Sequence, residues 1–461
     1  MQTRASSRAG SPLAGRVRTA IPGPASRALV QRESGRLAPG LQSIGLFSGL
    51  AFAGGRGAQL TDLDGNSFID FTAGVGVASL GHAHPGYVRA LSEQLERLSV
   101  GSYSSPARAE FLEELMPHLP AGLDRMQFYS GGAEAVEAAL RMARSYTGRF
   151  EAISFWGGFH GKTGSTLALC GPDVKQGLGP LYPGVHNVPY PDWARPPFEA
   201  ADPEDLGRKC AEFLRAYIRN STAGSLAAII VEPIQGTAGN VVPPAGFLSA
   251  VAQIAREHGA LFIADEMITG FGRTGRMFGC EHFGVLPDAM TIGKGMGNGY
   301  PIAGLIAREE LMRAAPFGLP SGSSSSYGGN PLAAAAARAT LRAIVDEGLV
   351  QNAQRVGAAM LDRLARLAER YPFIGAVRGK GLMIGIDVVT DAAGHTPMPS
   401  ALTRKLFDAA LRRGLLCMCY GPRIRINPPL VIDLETALEG VELLEDAFAE
   451  LAGELADACS C

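Results

Sequence analysis

The sequence predicts an α/β protein: a large domain on a mostly parallel sheet flanked by helices, joined to a smaller α+β domain. Three observations carry this reading. Stretches with helical periodicity at residues 108–119, 133–146, 205–220 and 246–258 alternate with short apolar runs at 152–155, 226–231 and 260–264, the pattern of βαβ units. A chain of 461 residues exceeds one ordinary hydrophobic core, so a second unit is expected. The helical stretch 331–347 is long enough to leave the first unit, and the residues after it change to helix, hairpin and helix.

Taken in order, residues 1–45 are rich in Arg, Ser, Pro and Gly and read as a partly flexible N-terminal arm. Its arginine-rich, acid-free start has one mark of a transit peptide, but no apolar signal segment follows. Residues 46–105 supply the first part of the small domain and a crossover. Within them, residues 59–71 alternate apolar and polar side chains around an Asp64-Gly65-Asn66 turn, which predicts a β-hairpin. Residues 106–335 make the large domain. Residues 336–461 complete the small one, with a helix over 356–370, a hairpin over 374–389 and a last helix over 434–455.

Composition narrows the function classes. With 42 basic and 44 acidic residues in short alternating groups, the net charge of −2 offers no field for nucleic acid or an anionic membrane. No uncharged apolar run approaches the roughly 18 residues of a membrane-spanning helix. The expectation is a cytoplasmic protein whose partners are small molecules. The seven cysteines (170, 210, 280, 417, 419, 459 and 461) are scattered without CxxC spacing. They read as reduced packing residues, with Cys417 and Cys419 alternating on a strand, and no metal site is expected.

Several constellations could carry chemistry. Lys294 lies among glycines in residues 291–301, which lets a carbonyl compound approach its amine closely. Asp265, 29 residues earlier, closes the apolar run 260–264, where a buried carboxylate can hold a protonated ring nitrogen. The pair suggests pyridoxal phosphate (PLP). Each residue also has a plainer reading, Lys294 as a solvated turn lysine and Asp265 as a helix-capping aspartate. Residues 129–134 place Gly131, Gly132 and Ala133 before a helix, a potential anion site. The stretch 155–163 misses a nucleotide P-loop by one residue, since three residues rather than four separate Gly157 from Gly161-Lys162-Thr163. Phe159 and His160 there could wall a flat ring. Arg425 could grip a carboxylate through two points, with Arg423 on the same face competing for the role.

Read together, these motifs resemble those of the class III aminotransferases, a subgroup of the fold-type I PLP enzymes, from about residue 20 to 450. The resemblance rests on Leu63-Asp-Gly-Asn66, Leu80-Gly-His-Ala-His-Pro85, Ser130-Gly-Gly-Ala-Glu134 and Phe159-His-Gly-Lys-Thr163. It continues in Val231-Glu-Pro-Ile-Gln-Gly236, Asp265-Glu266 with Gly270-Phe-Gly-Arg-Thr-Gly275, Gly293-Lys-Gly295 and Tyr327-Gly-Gly-Asn-Pro331. It implies Lys294 as the Schiff-base lysine, Asp265 as partner of the pyridine nitrogen, and Phe159 stacked on the ring. Backbone groups of Gly131, Gly132 and Ala133 would hold the phosphate, and His160, Glu232 and Met267 would line the cofactor site. Ser326 stands where the family has a threonine that reaches the neighbouring subunit's phosphate, which implies a homodimer with shared active sites. Arg425 matches the arginine that binds the carboxylate of an amino acid or oxo acid. The implied activity moves an amino group from an amine or amino acid to an oxo acid or aldehyde.

The chain departs from the family pattern at four further places. Thr237 replaces a glutamate that neutralises the substrate arginine, Met267 and Ile268 replace valine and glutamine, and Gly131 replaces serine. Ile268 cannot hydrogen-bond the cofactor's ring oxygen. Epimerisation, amino-group migration and decarboxylation on the same cofactor stay open as alternatives, and a non-catalytic PLP-fold regulator as a remote one.

Overall fold

Hydrogen-bonded ladders organise the computed structural model, which describes residues 16–391 and 396–459, into three sheets. The first fifteen residues of the expected arm, and Cys461, lie outside the described residues. From Arg16 onward the arm is tied down. The Arg16 guanidinium pairs with Glu439 at 2.7 Å, and Asp64 accepts the N–H groups of Ala25 and Ser26 at 2.7 and 2.9 Å.

Strands β1 (Phe52–Arg56), β2 (Gln59–Asp62) and β3 (Ser67–Asp70) form an antiparallel meander. The β2–β3 turn is the one expected at Asp64-Gly65-Asn66. The Asp62 carboxylate takes the N–H groups of Asp64 and Asn66, and Gly65 turns the chain with a φ of 80°.

The second sheet is the scaffold of the molecule. It comprises β4 (Arg125–Tyr129), β5 (Glu151–Phe155), β6 (Val185–Val188), β7 (Leu226–Val231), β8 (Leu261–Asp265), β9 (Ala289–Ile292) and β10 (Ala303–Ala307). Their order is β4-β10-β9-β8-β7-β5-β6, parallel throughout except β10, which runs antiparallel to both neighbours. β5, β7, β8, β9 and β10 are buried along their whole length, because helices cover both faces. Ile230, Ile263 and Leu305 pack with Val136 and Leu140 of the helix Gly132–Thr147 on one face. Ile229, Val231 and Phe262 pack with Leu214, Phe247 and Val251 of the helices Pro203–Ser221 and Phe247–Glu257 on the other.

The third sheet orders β11 (Ile374–Lys380), β12 (Met383–Val388) and, beyond the two-residue β13 (Leu415–Leu416), β14 (Arg423–Ile426) as β11-β12-β14, all antiparallel. β13 instead pairs in parallel with β3, so the C-terminal chain completes the N-terminal meander. Cys417 and Cys419 do not alternate on a longer strand as expected; only Met418 between them bridges, to Arg425. Five cysteines, 170, 210, 280, 417 and 419, are free and buried. Among the described residues no helix is long and apolar enough to cross a membrane, and no cluster of metal-binding side chains occurs.

Two of the contacts that lock the third sheet to the rest centre on the β11–β12 turn. Arg273, 2% exposed, donates to the carbonyls of Leu382 (3.2 Å) and Pro428, bridging the β11–β12 turn and the segment after β14. Burial pushes its guanidinium down to about 10, opposed by the charge of Asp70. Gly357, in the helix Leu349–Arg370, meets the same turn, and a Cβ there would lie 2.0 Å from the Gly381 carbonyl oxygen. Alanine exceeds glycine in an exposed helix by roughly 1 kcal/mol. Gly357→Ala is nonetheless expected to lower stability by about 1–3 kcal/mol through overpacking, read as a reduced midpoint in thermal unfolding. An unchanged or raised midpoint contradicts this contact.

Candidate active site

The carboxyl ends of β5, β8 and β9 and the N-terminus of the helix Gly132–Thr147 converge on one cavity of about 290 Å³. An open parallel sheet offers its binding crevice at this edge. The wall contains Lys294, Asp265, Met267, Phe159, His160, Gly132 and Ala133, brought together from motifs far apart in the sequence.

Asp265 ends β8 directly opposite Thr291 of β9. That register lets the Thr291 hydroxyl donate to Oδ1 at 2.9 Å, beside the Met267 N–H at 3.2 Å, while His160 Nδ1 lies 2.7 Å from Oδ2. Burial alone would raise the carboxyl's proton affinity. The His160 hydrogen bond and charge, the Lys294 ammonium and the Thr291 hydroxyl outweigh it and hold Asp265 below its ordinary value.

Lys294 follows β9 by one glycine and has a φ of 44°, a backbone conformation that a β-carbon disfavours and that neighbouring structure must impose. Its side chain keeps some exposure only because it faces the cavity; among the described residues no hydrogen bond ends on its amine. Burial pushes its ammonium below the ordinary value, opposed by the charges of Asp265 and Glu232 and assisted by Arg425. Met267 wedges between the two glycine motifs. A Cβ on Gly293 would stand 2.7 Å from its sulfur, and one on Gly132 would stand 3.1 Å away.

At the helix N-terminus, Glu134 reaches back so that Oε2 accepts the N–H groups of Ser130 and Gly131, each at 2.9 Å. Gly131 is thereby satisfied within the protein, and the donors left without an intrahelical acceptor at the cavity wall are those of Gly132 and Ala133. Glu232 does not line the cavity. It is 5% exposed and holds the wall from behind, accepting the Phe159 N–H at Oε1 and the Gly236 N–H at Oε2, both at 2.9 Å. Burial, with the Asp265 charge, raises its carboxyl. Ser326 is exposed beside Tyr327, 76% exposed, and does not reach the cavity of its own chain.

The two candidate arginines separate. Arg423 donates to the Ala238 carbonyl at 3.3 Å, whereas Arg425 has no hydrogen bond or ion pair on its guanidinium among the described residues, yet its charge acts on Lys294. Two residues of the site, Thr291 and Val77, escape the sequence motifs. The hydroxyl two residues before the glycine of the lysine motif is a signal for the first. Val77 follows a run of four positive-φ residues, Ala73 to Gly76, which bends it over the cavity and which no local pattern announces.

These features fit PLP. An unpartnered amine, a carboxylate kept charged, an aromatic wall and free N–H groups at a helix start match its aldehyde, ring nitrogen, ring face and phosphate respectively.

The family model for class III aminotransferases matches residues 48–448. An alanine/serine racemase of Pyrococcus horikoshii is 37% identical over 445 residues, 93% of this chain and 91% of that protein. A 4-aminobutyrate aminotransferase of Mycobacterium leprae is 36% identical over 439 residues, 92% and 96% of the two chains. Among solved structures, an amine transaminase from an uncultivated Pseudomonas species in the PLP-bound form superposes with a TM-score of 0.84 at 33% identity, covering 90% of this chain and 98% of that one.

The depressed lysine has a consequence for stability. Its folded form releases its proton below the ordinary lysine value of about 10.4, so the unfolded chain holds more protons in the window between the two, and stability rises with pH through it. Cofactor-free wild type should therefore gain unfolding free energy relative to Lys294→Met as pH approaches that value. Denaturant titrations over a pH series measure this, and parallel curves refute it.

Proposed function

The chain belongs to the class III aminotransferases, PLP-dependent transaminases of fold type I, and from that premise we propose which residues move an amino group between an amine or amino acid and an oxo acid or aldehyde. The observation that carries the proposal is the unpartnered Lys294 amine facing a cavity that it shares with the charged Asp265. Bound PLP supplies an aldehyde that exchanges with amines and a protonated heterocycle that draws off the electron pair left on a substrate carbon.

In this reading Lys294 would hold the cofactor through its amine, and its Nζ would take the proton from the substrate's amine-bearing carbon. Its lowered proton affinity favours the free base that this step needs. Asp265 keeps the ring nitrogen protonated, and His160 and Thr291 fix the carboxylate's orientation and charge. Phe159, held by Glu232 through its N–H, would flank the ring, and Met267, packed against Gly132 and Gly293, would line the same cavity. Gly132 and Ala133 donate to the phosphate, with Gly131 supplying the turn that Glu134 stabilises. Ser326 serves the site of a neighbouring copy in a homodimer.

Arg425 binds the substrate carboxylate. Thr237 is neutral and the guanidinium has no counterion among the described residues, so a carboxylate-bearing substrate supplies the anion it lacks. Residues 106–335 act as the cofactor-binding domain, with 46–105 and 336–461 as the small domain.

The similarity to a racemase supports a second reading, return of the proton to the same carbon on the other face. Incubation with an amino acid in deuterium oxide separates the two: transamination yields stoichiometric oxo acid, racemisation yields labelled enantiomer without it.

Borohydride treatment followed by peptide mapping should place the cofactor on Lys294 in wild type, and Lys294→Ala should lose that attachment with at least about a thousandfold fall in turnover. Attachment at another lysine would refute the assignment. Arg425→Gln should raise KM for a carboxylate-bearing substrate about 10- to 100-fold, since hydrogen bonds to charged groups contribute roughly 1.5–3 kcal/mol, with little change for an uncharged amine.

A further inference from the structure

A second cleft, of about 580 Å³, adjoins the Lys294 cavity without being part of it. Gly158 lines it, whereas Phe159, next in the chain, lines the Lys294 cavity. Arg423 lines it, whereas Arg425, two residues further along β14, acts on Lys294. Thr237, whose neutrality bears on Arg425 above, also lines it; no other residue given a role above does.

The cations of the cleft are unevenly served. Arg195 is neutralised by Asp192 at 2.6 Å and Asp387 at 3.3 Å. Arg423 has only the Ala238 carbonyl, and Lys175 has only the Ala168 carbonyl (3.1 Å) and the amide oxygen of Asn187. Among the described residues neither forms an ion pair. Burial lowers both, and for Arg423 the neighbouring Arg195 adds to the effect while the charges of Asp192, Asp173 and Asp387 oppose it. Two half-buried cations with neutral partners are an electrostatic cost that a bound anion removes. The lining otherwise carries Asp192, already paired, and Asp173, exposed and without an ion pair among the described residues. Across this space stands Trp156, 47% exposed, its Nε1–H tied to the Asn187 carbonyl at 3.2 Å so that the ring is held in place. A fixed indole offers a flat apolar surface at little ordering cost.

We propose that this cleft binds an organic anion with a flat apolar body, the anion held by Arg423 and Lys175 and the body resting on Trp156. Such chemistry belongs equally to the far end of a long substrate and to a separate aryl anion, and kinetics distinguish them.

The test is calorimetric titration of the PLP-loaded enzyme with phenyl phosphate and with phenol. Saturable binding of phenyl phosphate is expected, at least tenfold weaker for phenol and for Arg423→Gln, weakened also in Lys175→Gln, and unchanged in Arg425→Gln. Competitive inhibition against the amino donor then assigns the site to the substrate's far end; binding without competition assigns it to a separate ligand. No saturation up to about 10 mM overturns the proposal. So does equal affinity in both Arg423→Gln and Lys175→Gln, or loss of binding in Arg425→Gln, which places the probe at the reaction centre. Binding is read without turnover, so this outcome is independent of whether the proposed amino transfer stands.

Discussion

The site depends on keeping one carboxylate charged where water is excluded. Asp265 is 1% exposed, and an ionised group there is sustained by the Lys294 charge and by three donors that converge on it from three parts of the chain. The β8–β9 register supplies Thr291, the turn after β8 supplies the Met267 N–H, and the loop after β5 supplies His160. Each donor ties an element of the large sheet to the same point. The positive-φ backbone at Lys294 sits three residues beyond Thr291, so the constraint that orients the carboxylate also sets where the lysine emerges.

Charge is distributed unevenly across this region. Glu232, raised by burial, stands behind the aromatic wall with both its oxygens engaged by backbone N–H groups, so it acts on the cavity through position and field. Arg425 and Arg423 differ by one strand repeat and meet different surroundings, one acting on the amine and one lining a neighbouring cleft. A period-two pattern places both on one face but does not say what each meets there, which is why they compete as candidates in the sequence. Their separation comes from the loop at Ala238–Gly239, which engages Arg423 and leaves Arg425 unpaired.

The fold was legible where burial is complete and obscure where it is partial. Leu226–Val231 is apolar at every position because helices cover both faces, so it stood out as a strand. β4 and β6 occupy the two edges of the same sheet, and residues such as Arg125, His186 and Asn187 dilute their signal. β9 is four residues long and β10 contains a glycine, so neither stands clear of its surroundings. At the site, residue type and setting singled out Lys294 and Asp265 as candidates, the motifs read together gave them weight, and the fold brings both to one cavity. The capture of the Gly131 N–H by Glu134, Thr291 as a partner and Val77 as a wall required the register and the turn geometry that only the folded chain supplies.

The parallel pairing of β13 with β3 joins residues 415–416 to residues 69–70. A ribosome therefore exposes the open edge of the meander for the time needed to translate some 350 residues before the strand that caps it emerges. The first meander to be synthesised is thus among the last parts of the molecule to be sealed, and during that interval its uncapped edge invites pairing with other nascent chains. Completion of the N-terminal sheet accordingly waits on the C-terminal fifth of the chain, however early its first strands take shape.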